Sequence, residues 1–211
     1  MSEVKVLGVS GSPRKSRNTE GLLQAALDAA RETGGETELV SLADFHILPC
    51  DGCNACIREK RCPLDAQDDM EELRNRLEGS DAVIFAAPSY FGMVPGVMKN
   101  MMDRSRPLKM DGHRLGGKVV SALSLSGLSH GGAEQVAEAM VRFGLIHGMV
   151  AVGGCGDPLT SAHFGIASLQ GDEGWRRAGE DSVAVADARE VGKRVVEVAR
   201  ALKQARNEGL G

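Results

Sequence analysis

Aromatic residues are scarce. One Trp, one Tyr and five Phe make up 3% of the 211-residue chain. A core must therefore be built from Val, Leu, Ile, Ala and Met. No apolar run approaches the roughly 20 residues that a membrane-spanning helix needs. The start, Met1-Ser2-Glu3-Val4-Lys5-Val6, lacks the basic segment and apolar stretch of a secretory signal, so a cytoplasmic location is expected. Positive charge is not in excess: the formal net charge is −4, which gives no overall pull toward nucleic acid or membrane. No internal repeat, low-complexity segment or linker is present, and one domain over residues 1–211 is expected. What remains is ordinary globular composition, 42% hydrophobic and 26% charged, which excludes wholesale disorder.

Short β-type runs alternate with helical stretches. Val4 to Val9, Thr37 to Ser41, Ala82 to Ala87, Lys118 to Leu125 and Met149 to Val152 read as five strands. Between them lie helical patterns over Thr19 to Arg31, Asp68 to Leu77, Pro95 to about Arg104, and Gly132 to Phe143. Val183 to Lys203 closes the chain as a long helix, and the tail 204–211 is expected to fray. Gly156 to Gly179 reads as loop. Crossovers of this length force parallel pairing, so the expected fold is α/β: a doubly wound, five-stranded parallel sheet with helices on both faces. In such sheets a ligand sits beyond the carboxyl ends of the strands, where strand order reverses.

Three loops fall at that place. The first strand runs into Ser10-Gly11-Ser12-Pro13-Arg14-Lys15-Ser16-Arg17-Asn18-Thr19 and then a helix. Hydroxyls, positive charge and a helix N-terminus suit a phosphate. The alternative is a solvated loop with Asn18 or Thr19 as an ordinary helix cap. The loop is not a Rossmann fingerprint, since no Gly-x-Gly-x-x-Gly follows the strand. The Walker-like string Gly112 to Lys118 precedes a strand and reads as a turn. The third strand ends in Pro88-Ser89-Tyr90-Phe91-Gly92-Met93, where the sole Tyr and one Phe stand side by side. They suit the face of a planar ring, or else simply cover the core. The fourth strand ends in Ser126-Gly127-Leu128-Ser129-His130-Gly131, with His130 either a hydrogen-bond donor to a ligand or simply solvated.

Cys50, Cys53, Cys56 and Cys62 form C-x2-C-x2-C-x5-C within the segment 43–66, followed by Pro63. Three thiolates at that spacing can take successive corners of a [4Fe–4S] cubane, and the fourth can close it. A zinc staple or metal-free thiols are the alternatives, although zinc sites usually pair two C-x2-C knuckles across a longer loop. Cys155 is expected to be a buried small hydrophobe. Trp175 is expected to be a packing or interface residue, and Met98, Met101 and Met102 core or subunit contacts.

Four strings together resemble the flavodoxin-like NADPH-dependent FMN reductase family: Gly11-Ser-Pro-Arg14 with Asn18-Thr19; Asp68-Asp69-Met70; Asp81 to Tyr90; and Pro95 to Arg104. The likeness covers roughly residues 3 to 155. The cysteine motif narrows it to the iron–sulfur flavoprotein branch. The resemblance implies that Ser10, Ser12, Pro13, Arg14, Ser16, Asn18 and Thr19 hold the phosphate of FMN. It implies that Pro88, Ser89, Tyr90, Phe91, Gly92 and Met93 line the flavin ring, with Ser126 and Gly131 on its other side. Cys50, Cys53, Cys56 and Cys62 would hold the cluster, in a homodimer or homotetramer. The expected activity is electron transfer between NAD(P)H or ferredoxin, a [4Fe–4S] cluster, FMN and a small acceptor. The alternatives are an electron carrier without its own substrate and a zinc-stapled phosphate-binding module. Because the cofactors carry the chemistry, no catalytic side chain is singled out.

Overall fold

The computed structural model describes residues 3–209. Its strands are Val4–Ser10 (β1), Gly35–Ser41 (β2), Ala82–Pro88 (β3), Val119–Ser126 (β4), Val150–Ala151 (β5), Gly165–Ser168 (β6), Gln170–Gly171 (β7) and Gly174–Trp175 (β8). Its helices are Asn18–Glu32 (α1), Ala55–Arg58 (α2), Met70–Gly79 (α3), Gly96–Arg104 (α4), Arg106–Met110 (α5), Ala133–Ile146 (α6) and Ser182–Asn207 (α7). The main sheet is parallel, in the order β2-β1-β3-β4-β5, which is the flavodoxin-like doubly wound order.

Alternate residues of each strand serve opposite faces. Leu7, Val9, Val83, Phe85, Val120 and Ala122 pack with side chains of α3, α4 and α6. Val4, Val6, Ala82, Ile84, Leu123 and Leu125 pack against α1 and α7. Both faces are thus dry, and the strands read as continuous apolar runs for that reason. Met98 and Met101 belong to the first core, and Met102 packs against its edge. No helix among the described residues is long and apolar enough to cross a membrane.

Three expectations need correction. The fifth strand position is shared: β5 pairs with Val119 and Val120, the chain then leaves the sheet, and β6 returns to pair with Leu123 through Ser126. Residues 156–179, read as loop, therefore contain a sheet strand and the β7–β8 hairpin. The helix α7 continues through Gln204 to Asn207, beyond its expected end at Lys203; residues 210–211 lie outside the described residues. Cys155 is exposed, because the chain has already left the sheet edge there.

Candidate functional site

At the end of β1, Ser10 and Ser12 are buried, whereas Pro13, Arg14, Lys15, Ser16 and Arg17 are exposed. The Ser12 hydroxyl accepts from the Arg14 N–H at 3.1 Å and lies 3.1 Å from the Arg14 carbonyl, folding the loop on itself. Ser10 Oγ is buried without a hydrogen-bond partner. The residue preceding α1 is Arg17, and no side chain caps the helix. Neither Asn18 nor Thr19 is the cap: Thr19 is buried, and Asn18 Oδ1 accepts from the Ala178 N–H at 3.2 Å. An uncapped helix N-terminus and a buried, unpartnered hydroxyl at the two ends of one loop are a fit for an anion. One loop donor is already taken, since the Ser16 N–H donates to Glu20 at 2.6 Å. Lys15 pairs with Asp44.

The loop after β3 is a two-residue hairpin turn. Tyr90 and Met93 exchange N–H···O bonds of 3.0 and 3.1 Å, and Phe91 and Gly92 between them have φ of 55° and 75°. Positive φ at both central positions is the type I′ pattern. Pro88 is buried at the root of this turn, and the Tyr90, Phe91 and Met93 side chains are exposed at its tip. Ser89 ties the turn to the loop after β4: its hydroxyl donates to the Gly131 carbonyl and accepts from the Gly92 N–H. Gly132, at φ 80°, lies so close to Gly92 that a Cβ there would come within 2.7 Å of the Gly92 Cα. Ser126, also buried, bonds the Leu128 carbonyl at 2.7 Å. A cavity of about 370 Å³ opens beside it, lined by Ser126, His130, Gly132, Ile166 and Ser168 among others. The loops after β1, β3 and β4 therefore open at the carboxyl edge of one sheet, with the β1–β3 switch point among them.

The cysteine segment is curled by three residues in the left-handed region: Gly52, Asn54 and Lys60, at φ 73°, 60° and 59°. Cys50 and Cys53 are exposed, and Cys56 and Cys62 are partly covered. Among the described residues no three His, Cys, Asp or Glu side chains gather as they would around one metal ion. The loop rests on two arginines. Arg106 donates to Asn54 Oδ1 at 2.8 Å, and the buried Arg104 binds Leu48, Asp65 and Asp68. Burial alone would weaken the Arg104 charge, but Asp68, Cys62 and Asp65 hold its pKa above the usual guanidinium value. Burial likewise opposes ionisation of Asp68, yet Arg104 and the Leu48 and Met70 N–H groups keep its pKa below the usual carboxylate value.

Residues 4–156 match the family model described as NADPH-dependent FMN reductase. The chain belongs to this family. An iron-sulfur flavoprotein of Methanocaldococcus jannaschii is 40% identical over 204 residues, 95% of this chain and 100% of the relative. An iron-sulfur flavoprotein of Archaeoglobus fulgidus is 36% identical over 203 residues, 96% of this chain and 99% of the relative. In fold the chain is similar to an NAD(P)H:quinone oxidoreductase from Methanothermobacter marburgensis, with a TM-score of 0.64 at 18% identity over 92% of this chain and 98% of that one.

Two parts of this FMN reductase relative escaped sequence reasoning. The β7–β8 hairpin lies beyond the matched residues and docks on the loop after β4, through Ser129 and Gln170 at 3.2 and 3.3 Å. It places Trp175 over Gly127, where a Cβ would come within 3.7 Å of the indole. Trp175 is exposed and stands at the mouth of the sheet. The second part is the pair of buried arginines, Arg74 and Arg104, beneath the cysteine loop. Asp68 and Arg104 both fall in strings that carried the family resemblance, but nothing in their spacing says that they pair.

Proposed function

We propose that this flavin oxidoreductase binds FMN at the three strand-end loops, carries a [4Fe–4S] cluster on residues 43–66, and moves electrons between NAD(P)H or ferredoxin and a small acceptor. Family membership supports the flavin, and the names of the relatives support the cluster. The structural observation that carries the reading is Ser10 Oγ, buried and unpartnered, at the head of the switch-point loop that leads to the uncapped N-terminus of α1. A phosphate completes both.

When bound, FMN exchanges a hydride or single electrons, and the cluster exchanges single electrons only. The chain binds, orients and excludes water. Ser10, Ser12, Ser16 and Thr19 supply hydroxyls to the phosphate. Pro13 shapes the loop turn, Arg14 supplies charge, and the first turn from Asn18 supplies N–H groups. Pro88, Ser89 and Gly92 shape the backbone around the ring, and Tyr90, Phe91 and Met93 keep water from it. Ser126 and Gly131 close the other side, fixed by the Ser89–Gly131 bond. Cys50, Cys53, Cys56 and Cys62 each offer one thiolate. The flavin loop and the cysteine loop flank opposite ends of α4, about 13 Å of helix apart. The family resemblance implies a homodimer or homotetramer in which the cluster passes electrons to the flavin across the subunit boundary.

Anaerobic purification with flavin, iron, acid-labile sulfide and zinc measured together tests the reading. FMN with iron and sulfide in equal amounts is expected. Zinc without sulfide sinks the cluster, and a folded, colourless protein that takes up no FMN sinks the whole. Cys53→Ser is expected to lose iron while keeping flavin, because Cys53 lies on the cysteine loop and none of its hydrogen bonds reaches the flavin loops.

A further inference from the structure

Arg104, the last residue of α4, has a fully buried side chain. Its four terminal N–H groups are all matched. Nη1 donates to the Leu48 carbonyl at 3.0 Å and to Asp68 Oδ2; Nη2 donates to Asp65 Oδ1 at 3.0 Å and Asp68 Oδ1 at 3.2 Å. Leu48 comes just before Cys50, and Asp65 and Asp68 come just after Cys62, so one guanidinium pins both ends of the cysteine loop. Asp65 pairs in turn with Arg74, which donates to the Arg104 carbonyl at 3.3 Å. The two arginines and two aspartates cancel in charge. Arg104 Nε–H alone is left over, buried and without an acceptor. A buried donor left unmade costs about 1–3 kcal/mol, and an ion or ligand that completes it is one reason for a native protein to keep such a group. Cys62 is tied to this network: its carbonyl accepts from the Asp65 N–H at 3.2 Å, and Arg104 holds the Asp65 carboxylate.

We propose that Arg104 is the positioning residue of the cluster: it orders the cysteine loop from beneath, and its free Nε–H donates to the Cys62 thiolate once the cluster is bound. This rests on the reading of that loop as a [4Fe–4S] site. Reduction adds an electron to a centre that is already anionic. An N–H···S bond stabilises the reduced form more than the oxidised one and raises the reduction potential. Lysine cannot substitute, because a single ammonium cannot hold two carboxylates and a carbonyl and still present a further donor.

The test is a redox titration of the anaerobic holoprotein, followed by the EPR signal of the reduced cluster. Wild type is compared with Arg104→Lys and with the double variant Arg104→Met/Asp68→Asn, which removes the buried charge pair together and leaves no unpaired Asp68. Iron, sulfide and FMN are measured on each. At a fixed ambient potential the reduced-to-oxidised ratio is expected to fall about tenfold in both variants, the equivalent of one hydrogen bond. FMN content should not change. Loss of iron from a folded variant that retains FMN also supports the proposal. Unaltered potentials in variants with full iron and sulfide overturn it. If neither variant folds, wild type grown on arginine labelled with heavy nitrogen decides: a nitrogen coupling in the pulsed EPR of the reduced cluster supports the bond, and its absence overturns it. Wild type with no iron or sulfide overturns the cluster reading itself and this proposal with it.

Discussion

Phe91 is fully exposed, and its backbone sits at φ 55°. A bulky residue in the left-handed region is strained by about 1–2 kcal/mol, and nothing in the core repays it because the ring is in solvent. The type I′ turn it occupies is best served by Asn-Gly, and Gly92 already provides the second half. Phe91→Asn is therefore expected to stabilise the apoprotein by about 1 kcal/mol, seen as a higher urea midpoint with unchanged slope. The same variant should weaken FMN binding or slow turnover, since Phe91 stands on the proposed flavin loop. A stabilised variant with full FMN affinity and turnover would remove the functional reason for the strain.

Helices α1 and α7 pack side by side on one sheet face, and Gly192 is where they come closest. A Cβ at that position would lie 1.9 Å from the Ala26 carbonyl oxygen. Gly192→Ala must force the helices apart, at an expected cost of about 1–3 kcal/mol by chemical denaturation. A neutral outcome would mean that α1 and α7 can separate at this contact without cost. These helices were legible in the sequence because Leu22, Leu23, Ala26, Leu27 and Ala30 recur at helical spacing and the strands beneath them are apolar throughout. The strand β6 was not legible. Gly-Ile-Ala-Ser is too short and too small to signal a strand, and its pairing is supplied by the upper half of β4. The last turn of α7 was missed because its residues are polar. Arg200 donates to the Thr33 carbonyl at 2.8 Å and Lys203 to Asp81 at 2.8 Å, and these bonds tie down the helix just before that turn. In the site, the loop residues were visible from type and place. The ion network under Cys62 was not, since it joins residues 48, 65, 68, 74 and 104 only through the fold.

Acid should destabilise the whole molecule in two stages, for two separate reasons. His147 ends α6 in a buried position, with Nε2 2.9 Å from Ser105 Oγ and its ring 4.8 Å from that of Phe143. Burial, then the charges of Lys109 and His113, lower its pKa from the ordinary 6.5 to about 4. Between those values the unfolded chain binds a proton that the folded chain refuses, so stability falls as pH drops through that window. The loss between pH 7 and 5 is expected to be about 2 kcal/mol. Asp68 behaves as a depressed carboxylate: its contribution is present above the ordinary aspartate value near 4 and is lost as pH falls below it. That second stage releases Arg104 and with it the cysteine loop. Urea melts across pH 7 to 3 separate the two. His147→Gln, which cannot titrate, should flatten the slope between pH 7 and 5 and leave the loss below pH 4 intact. If the variant keeps the wild-type slope above pH 5, the buried imidazole is not its source.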